Sequence, residues 1–245
     1  MDNERVEMQT WQGKYLNANI LFSRAGMTQH IWVENENGAI LFDVGDGILR
    51  DIKANKVDLD RLRGIFITHG HFDHVGGIHS LLGFMRMIGR KEELPIFAPE
   101  GCIELFSIVE NFIKCYPDTI PFEISTRGIR PKQVFEIAGM NIEDFPVVHC
   151  GSVKEGGILN RLPAVGYRIS YKGEIIAISG DTGLCASLEK LISGADLAII
   201  EATYESSDEA REEYLKKVHL SEDIAREIGE LAKDFILVHK GKRSY

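Results

Sequence analysis

THGHFDHVGG, residues 68–77, carries four side chains able to bind a metal, His69, His71, Asp73 and His74, within six positions. It follows the apolar run Gly64-Ile65-Phe66-Ile67, which reads as a buried strand (64–68), and leads into a helical pattern at 77–88. In an extended segment residues two apart face the same side, so His69 and His71 can hold one ion. Asp73 and His74, past the bend, can point elsewhere. Gly76 and Gly77 let the chain run close to the site before the helix starts. Imidazole and carboxylate ligands suit zinc, manganese or iron rather than calcium.

One loop does not complete a metal centre, because each ion needs about three or four protein ligands with a position left for water. Three distant residues stand at the ends of apolar runs: His149 closing IEDFPVVH, Asp181 in the turn SGDTG after EIIAI, and His239 closing FILVH. They share the local context of the first motif and are candidate ligands.

Short runs rich in β-formers recur at 19–22, 30–34, 39–44 and 64–68, with helical patterns at 47–54, 77–88 and 101–114. The second half repeats these element types, with strands near 134–138, 141–148, 164–171, 174–179, 196–201 and 235–239 and helices near 185–193, 207–217 and 220–232. Ser221 stands where it could cap the last helix. No linker separates the halves, so residues 1–245 are expected to form one domain, with stacked sheets inside and helices outside.

The chain is 245 residues long and 44% hydrophobic, enough for a sizeable core. Its start, MDNERVEMQTW, is charged, and no run approaches the roughly 18 apolar residues of a membrane span, so a cytoplasmic protein without membrane contact is expected. Cys102, Cys115, Cys150 and Cys185 form no C-x-x-C pair and read as free thiols. A net charge of −9 disfavours a broad nucleic-acid surface, although Arg127/Arg130/Lys132 and Lys240/Lys242/Arg243 are local basic clusters. Nothing in the sequence speaks against a homo-oligomer.

Taken in order, H-x-H-x-D-H followed by G-G, a strand-end His, S-G-D-T and a final strand-end His resemble the metallo-β-lactamase superfamily, from about Ala39 to Arg243. AILFDVGDG (39–47) is similar to that family's strand and aspartate-glycine turn, where Asp43 would support the metal loop. The resemblance implies an α/β protein, a four-layer αβ/βα sandwich (metallo-β-lactamase fold), with two divalent metal ions between the sheet edges. Zinc is the first expectation, with manganese or iron as alternatives. The family pattern would put His69, His71 and His149 on one ion, Asp73, His74 and His239 on the other, and Asp181 on both. Such a pair lowers the pKa of a bridging water, so the resemblance implies a hydrolase working through hydroxide. The superfamily splits lactams, lactones, thioesters and phosphodiesters, and the fold does not choose among them.

ADLAIIEATY (195–204) and VHLSEDIAREIGELAKDFILVHKGKR (218–243) resemble the ribonuclease Z branch, which has an acidic-A-T stretch, a His-Ser/Thr at a helix start, and a last ligand His with Arg four residues later. Glu201, His219 and Arg243 match those positions. The resemblance implies that Glu201 orients His219 and that His219 protonates the departing alkoxide, so Asp73, Glu201 and His219 are the candidate catalytic residues. The expected reaction is hydrolysis of a nucleotide, small-molecule or nucleic-acid phosphodiester.

The expectation of tRNA is weaker. Bacterial enzymes of that branch carry a long tRNA-gripping arm after the strand corresponding to VGYRIS (165–170), and here Tyr171-Lys172-Gly173 turns directly into the next strand. Gly241 stands where the branch usually has Ser, and Tyr245 falls one place late. The alternatives are a glyoxalase II-like thioesterase or lactonase, which would leave Glu201 and His219 idle, and a non-enzymatic metal-binding or sensing protein, which would have lost ligands. A diiron flavoprotein-type oxidoreductase would need a carboxylate at His71. His30 and His79 read as structural or polar-face residues, and Cys150 and Cys185 as non-ligands. The loop 150–163, with Lys154 and Arg161, is a candidate substrate contact.

Overall fold

Each half of the chain builds one sheet. In the computed structural model, which describes residues 8–153 and 157–241, the first sheet holds seven strands side by side in chain order. They are β1 (Gln9–Gln12), β2 (Asn17–Arg24), β3 (Thr28–Asn35), β4 (Gly38–Phe42), β5 (Leu62–Phe66), β6 (Leu94–Pro99) and β7 (Ile124–Ile129). β1 to β4 form an antiparallel meander, and β4 to β7 run parallel. Parallel neighbours need long crossovers, and α1 (Ile48–Ala54), the short α2 (Phe72–Val75), α3 (Ile78–Met87) and α4 (Ile103–Cys115) lie in them.

The second sheet consists of β8 (Val134–Ile137), β9 (Met140–Pro146), β12 (Val165–Tyr171), β13 (Glu174–Ile178), β14 (Leu197–Glu201) and β15 (Phe235–Val238), in the order β15-β14-β13-β12-β9-β8. Here too an antiparallel part (β8, β9, β12, β13) continues into a parallel one (β13, β14, β15). β10 (Cys150–Ser152) and β11 (Ile158–Arg161) make a separate small hairpin, and α5 (Ala186–Ile192), α6 (Glu212–Lys217) and α7 (Glu222–Gly229) complete the chain.

Side-chain alternation along the strands sorts the core into layers. On β4, Ile40 and Phe42 face the other sheet, while Ala39 and Leu41 face the helices. On β14, Leu197 and Ile199 point inward, and Ala198 and Ile200 meet Leu188, Leu191 and Ile228 of α5 and α7. The result is helices, sheet, sheet, helices, which is the four-layer αβ/βα sandwich. Phe66 stacks on Phe97 with ring centroids 4.3 Å apart and meets Tyr167 edge-on at 5.4 Å. The Tyr167 hydroxyl donates to the Ile67 carbonyl at 2.5 Å, so the second sheet holds the first at the root of the metal loop.

Several elements differ from the sequence expectations. The helix expected over 207–217 is a 3-10 turn, Ser207–Glu209, and α6, separated by extended backbone at Ala210 and Arg211. Serine chemistry explains the break: Ser206 accepts from the Asp208 N–H, and Ser207 engages Asp223 through its N–H and hydroxyl. The strand expected at 39–44 stops at Phe42 because Asp43 turns to φ 57; those expected at 64–68 and 141–148 stop at Phe66 and Pro146. β1 and β7 are largely polar, exposed edge strands without an apolar face to read, and β6 carries Pro95 and Pro99. The β12–β13 connection has two residues, Lys172 and Gly173, both at positive φ as two-residue hairpins favour, so no arm is present there. Lys154, Lys242, Arg243 and Tyr245 lie outside the described residues. Among the described residues no helix is long and apolar enough to cross a membrane.

Candidate metal centre

Every candidate ligand leaves the same edge of the sandwich. β5 leads into Thr68 to His74, β13 into Asp181 and β15 directly into His239. β9 is antiparallel to β12, which is antiparallel to β13, so β9 points the same way and delivers His149. Carboxyl ends of parallel strands are where open α/β sheets place their ligand sites. The Val165 N–H donates to the Thr68 carbonyl at 3.0 Å and closes the two edges on each other.

His69, His71, His149 and Asp181 form one set, with one ligand atom from each lying within 4.8 Å of the others. His69 Nε2 and His149 Nε2 stand 3.0 and 3.1 Å from His71 Nδ1, and His69 Nε2 lies 3.7 Å from Asp181 Oδ2. The His149 Nδ1–H donates to the Val218 carbonyl at 2.7 Å, which leaves Nε2 as the inward atom. Burial holds His69 well below the ordinary imidazole range, lowers His149 to about 3 and lowers His71 as well. Three neutral imidazoles therefore turn nitrogens towards a common point.

Asp73, His74 and His239 form the second set. His239 Nε2 is 3.2 Å from Asp73 Oδ2 and 3.4 Å from His74 Nε2. Asp181 reaches this set too, with Oδ2 3.4 Å from His74 Nε2 and Oδ1 3.4 Å from His239 Nδ1. Burial opposes charge on His74, yet the Asp181 and Asp43 carboxylates hold it well above its usual range. Burial would raise Asp181, but His239 and His74 hold it well below. Positive charge is thus favoured at this position, from a proton or from a cation. Asp43 fixes the tautomer: it takes the His74 Nδ1–H at 2.8 Å and accepts from the Thr68 N–H at 2.8 Å.

The residues fit a divalent cation on a second ground. Asp181 Oδ1 is buried and has no hydrogen-bond partner among the described residues. A buried carboxylate oxygen without a donor is costly, and a cation is a partner that satisfies it. Imidazoles with carboxylates suit zinc, manganese or iron.

Glu201 and His219 meet beside the two sets, and His219 also comes within ligand reach of Asp181 and His239. His219 Nδ1 is 2.9 Å from Glu201 Oε1, and the buried Glu201 also accepts from the N–H groups of Thr182 at 3.0 Å and Thr203 at 3.1 Å. Burial would lower His219, but the Glu201 carboxylate outweighs it and raises the imidazole to about 9. Nδ1 is the atom turned to Glu201, and 17% of the side chain is exposed.

The other singled-out residues lie apart. His79 is exposed, with its ring edge on Phe112 at 5.3 Å. His30 is fully buried, its Nε2 2.9 Å from Thr28 Oγ1. Neither Cys150 nor Cys185 joins a ligand set among the described residues. Ser221 holds the N-cap position of α7 without a side-chain cap bond, and the Tyr204 carbonyl accepts the N–H of the first helical residue, Glu222. Within the loop 150–163, Arg161 donates to the Val147 carbonyl, and a Cβ at Gly151 would lie 3.9 Å from His71 Nε2, so the β10–β11 hairpin lies against the first set. Sequence reasoning missed Ser23, Gln29 and Thr203. The one available signal was a run of polar residues, Thr28, Gln29 and His30, opening a strand that continues as Ile31, Trp32 and Val33.

Residues 39–239 match the family described as a beta-lactamase superfamily domain. The Ribonuclease Z of Methanothermobacter thermautotrophicus is 30% identical over 242 residues, covering 83% of this chain and 77% of the relative. A metallo-beta-lactamase fold protein from Bacillus subtilis superposes with a TM-score of 0.72 at 18% identity, over 94% of this chain and 88% of that one. Human tRNase Z, short form, superposes with a TM-score of 0.71 at 21% identity, over 92% and 93%. The two structures show a shared fold.

Proposed function

The chain belongs to the beta-lactamase superfamily as a ribonuclease Z-like metal-dependent hydrolase, and from that premise we propose a dinuclear phosphodiesterase. The observation that carries this reading is the convergence of two ligand sets, joined by Asp181, with the Glu201–His219 pair beside them. His69, His71 and His149 would hold one ion, Asp73, His74 and His239 the other, and Asp181 both. Zinc is the first choice, with manganese or iron as alternatives. A bound pair supplies an acidified water and positive charge against the attacked phosphoryl oxygens.

The chain's own groups do the rest. Glu201 accepts the His219 Nδ1–H and keeps the imidazole charged, so that Nε2–H can pass to the departing oxygen. Asp73, fixed by the Gly26 N–H at 2.9 Å, keeps its carboxylate turned to His239. A poor alkoxide leaving group needs such an acid, whereas a thiolate does not. That asymmetry favours a phosphodiester over a thioester. The substrate is a nucleotide or nucleic-acid phosphodiester; the two-residue turn at Lys172–Gly173 argues against the arm-dependent grip on tRNA.

The test is a parallel assay of the metal-loaded protein with bis(p-nitrophenyl) phosphate, a thioester and a lactone. Phosphodiester turnover is expected to dominate. Strong thioester turnover without it would overturn the reading.

A further inference from the structure

The second ligand set is braced from one hairpin, with Thr203 Oγ1 a further contact, 3.1 Å from His239 Nδ1. In β2 and β3, Ser23 and Gln29 are cross-strand partners, and Gly26 lies in the turn between them. The His239 N–H donates to Ser23 Oγ at 2.8 Å, and the Ser23 hydroxyl donates to Gln29 Oε1 at 2.9 Å. Gln29 Nε2 donates to Asp43 Oδ2 at 3.1 Å, the oxygen that takes the His74 Nδ1–H at 2.8 Å. The Gly26 N–H donates to Asp73 Oδ2 at 2.9 Å. All three ligands of that set are therefore held, directly or through one residue, by residues 23–29.

The direction of each bond is forced. A carboxylate only accepts, so the Gln29 amide turns its NH2 to Asp43. Ser23 already accepts from His239, so its proton is left for the Gln29 carbonyl. The first set draws on other supports, the Val218 carbonyl for His149 and Thr68 Oγ1, 3.1 Å from His69 Nδ1. Thr68 also grips Asp43, through its N–H to Oδ1 at 2.8 Å and its hydroxyl 2.9 Å from Oδ2, so Asp43 and the first set keep this shared anchor without Gln29.

We propose that Gln29, through the Ser23 and Asp43 links, is a positioning residue that sets the affinity of the second metal site and leaves the first unchanged. This rests on the dinuclear reading above. Gln29 is 1% exposed, in a stretch of β3 where Thr28 and His30 are buried as well, and a polar side chain so deep has to be hydrogen-bonded. Its amide joins the supports of two imidazoles of the second set, His239 through Ser23 and His74 through Asp43.

The full-length protein, stripped of metal and titrated with Co²⁺ while its visible absorbance is followed, tests this. Wild type is expected to bind two equivalents in two steps, one of which His239→Ala removes. Gln29→Met, similar in size but without donor or acceptor, is expected to weaken that step by about 10- to 100-fold and leave the other within about two-fold. Ser23→Ala should weaken the same step, and it decides the question by the same criterion if Gln29→Met does not fold. Two wild-type steps that both variants leave intact, or weaken equally alongside a lower Tm, overturn the assignment. Saturation at one equivalent overturns the dinuclear reading and this inference with it, and two equivalents that no variant separates overturn this inference alone.

Discussion

His219 is the residue whose removal separates chemical from structural roles. Replacing it with alanine is expected to slow cleavage of an alkyl phosphodiester by about 10²- to 10⁴-fold, the usual worth of a positioned acid. The same change should barely affect a p-nitrophenyl ester, whose leaving group needs no proton; equal losses on both would refute the assignment. The pH profile follows with a definite sign. Glu201 raises His219 to about 9, so the acid form is present below that value and lost above it. Cations at the neighbouring sites repel the imidazolium, so the basic limb of kcat for the alkyl ester falls at or below about 9. Glu201→Gln removes the stabilising charge and should move that limb to lower pH, as rate measurements across pH will register. At this scale the convergence of candidate ligands is most readable where they are contiguous, as in HGHFDH, or where they follow a strand, as with His149, Asp181 and His239. Gln29 is unreadable because its meaning lies in Asp43 and in Ser23, which faces it across the sheet.

Elements matter here through how tightly they approach the loop that presents His69 to His74. A Cβ on Gly45 would stand 2.0 Å from the Asp73 carbonyl oxygen and 2.3 Å from Thr28 Oγ1. Backbone cannot yield as a side chain can, so Gly45→Ala must displace the metal loop or the turn after β4. A loss of about 1–3 kcal/mol is expected, read from chemical denaturation, with weaker metal binding alongside. The parallel strands that carry the site were legible because both their faces are buried and they read as apolar runs. Edge strands β1 and β7 were not, since no periodic face marks them. The break between the 3-10 turn and α6 was hidden for another reason: Ser207 is drawn to Asp223, a partner on a later helix.

For the molecule as a whole, the proposed centre lies across the seam between two sheets, with candidate ligands supplied from both. Metal that binds only the folded chain adds about 2.7 kcal/mol of stability at a hundredfold excess over Kd. In a protein of this size that is a Tm rise of roughly 5–10 °C. Chelation should lower Tm by that amount and abolish turnover, and zinc or manganese should restore both; calorimetry with and without chelator checks it. The turn at Lys172 and Gly173 has a different kind of consequence. It lies at the far end of β12 from Val165, roughly 20 Å from the edge where the ligands gather. A segment gained or lost there would leave the proposed centre in place, far from the turn that changes. The length of that turn and the geometry of the proposed centre are therefore separate variables of the fold, and a change in one need not be felt by the other.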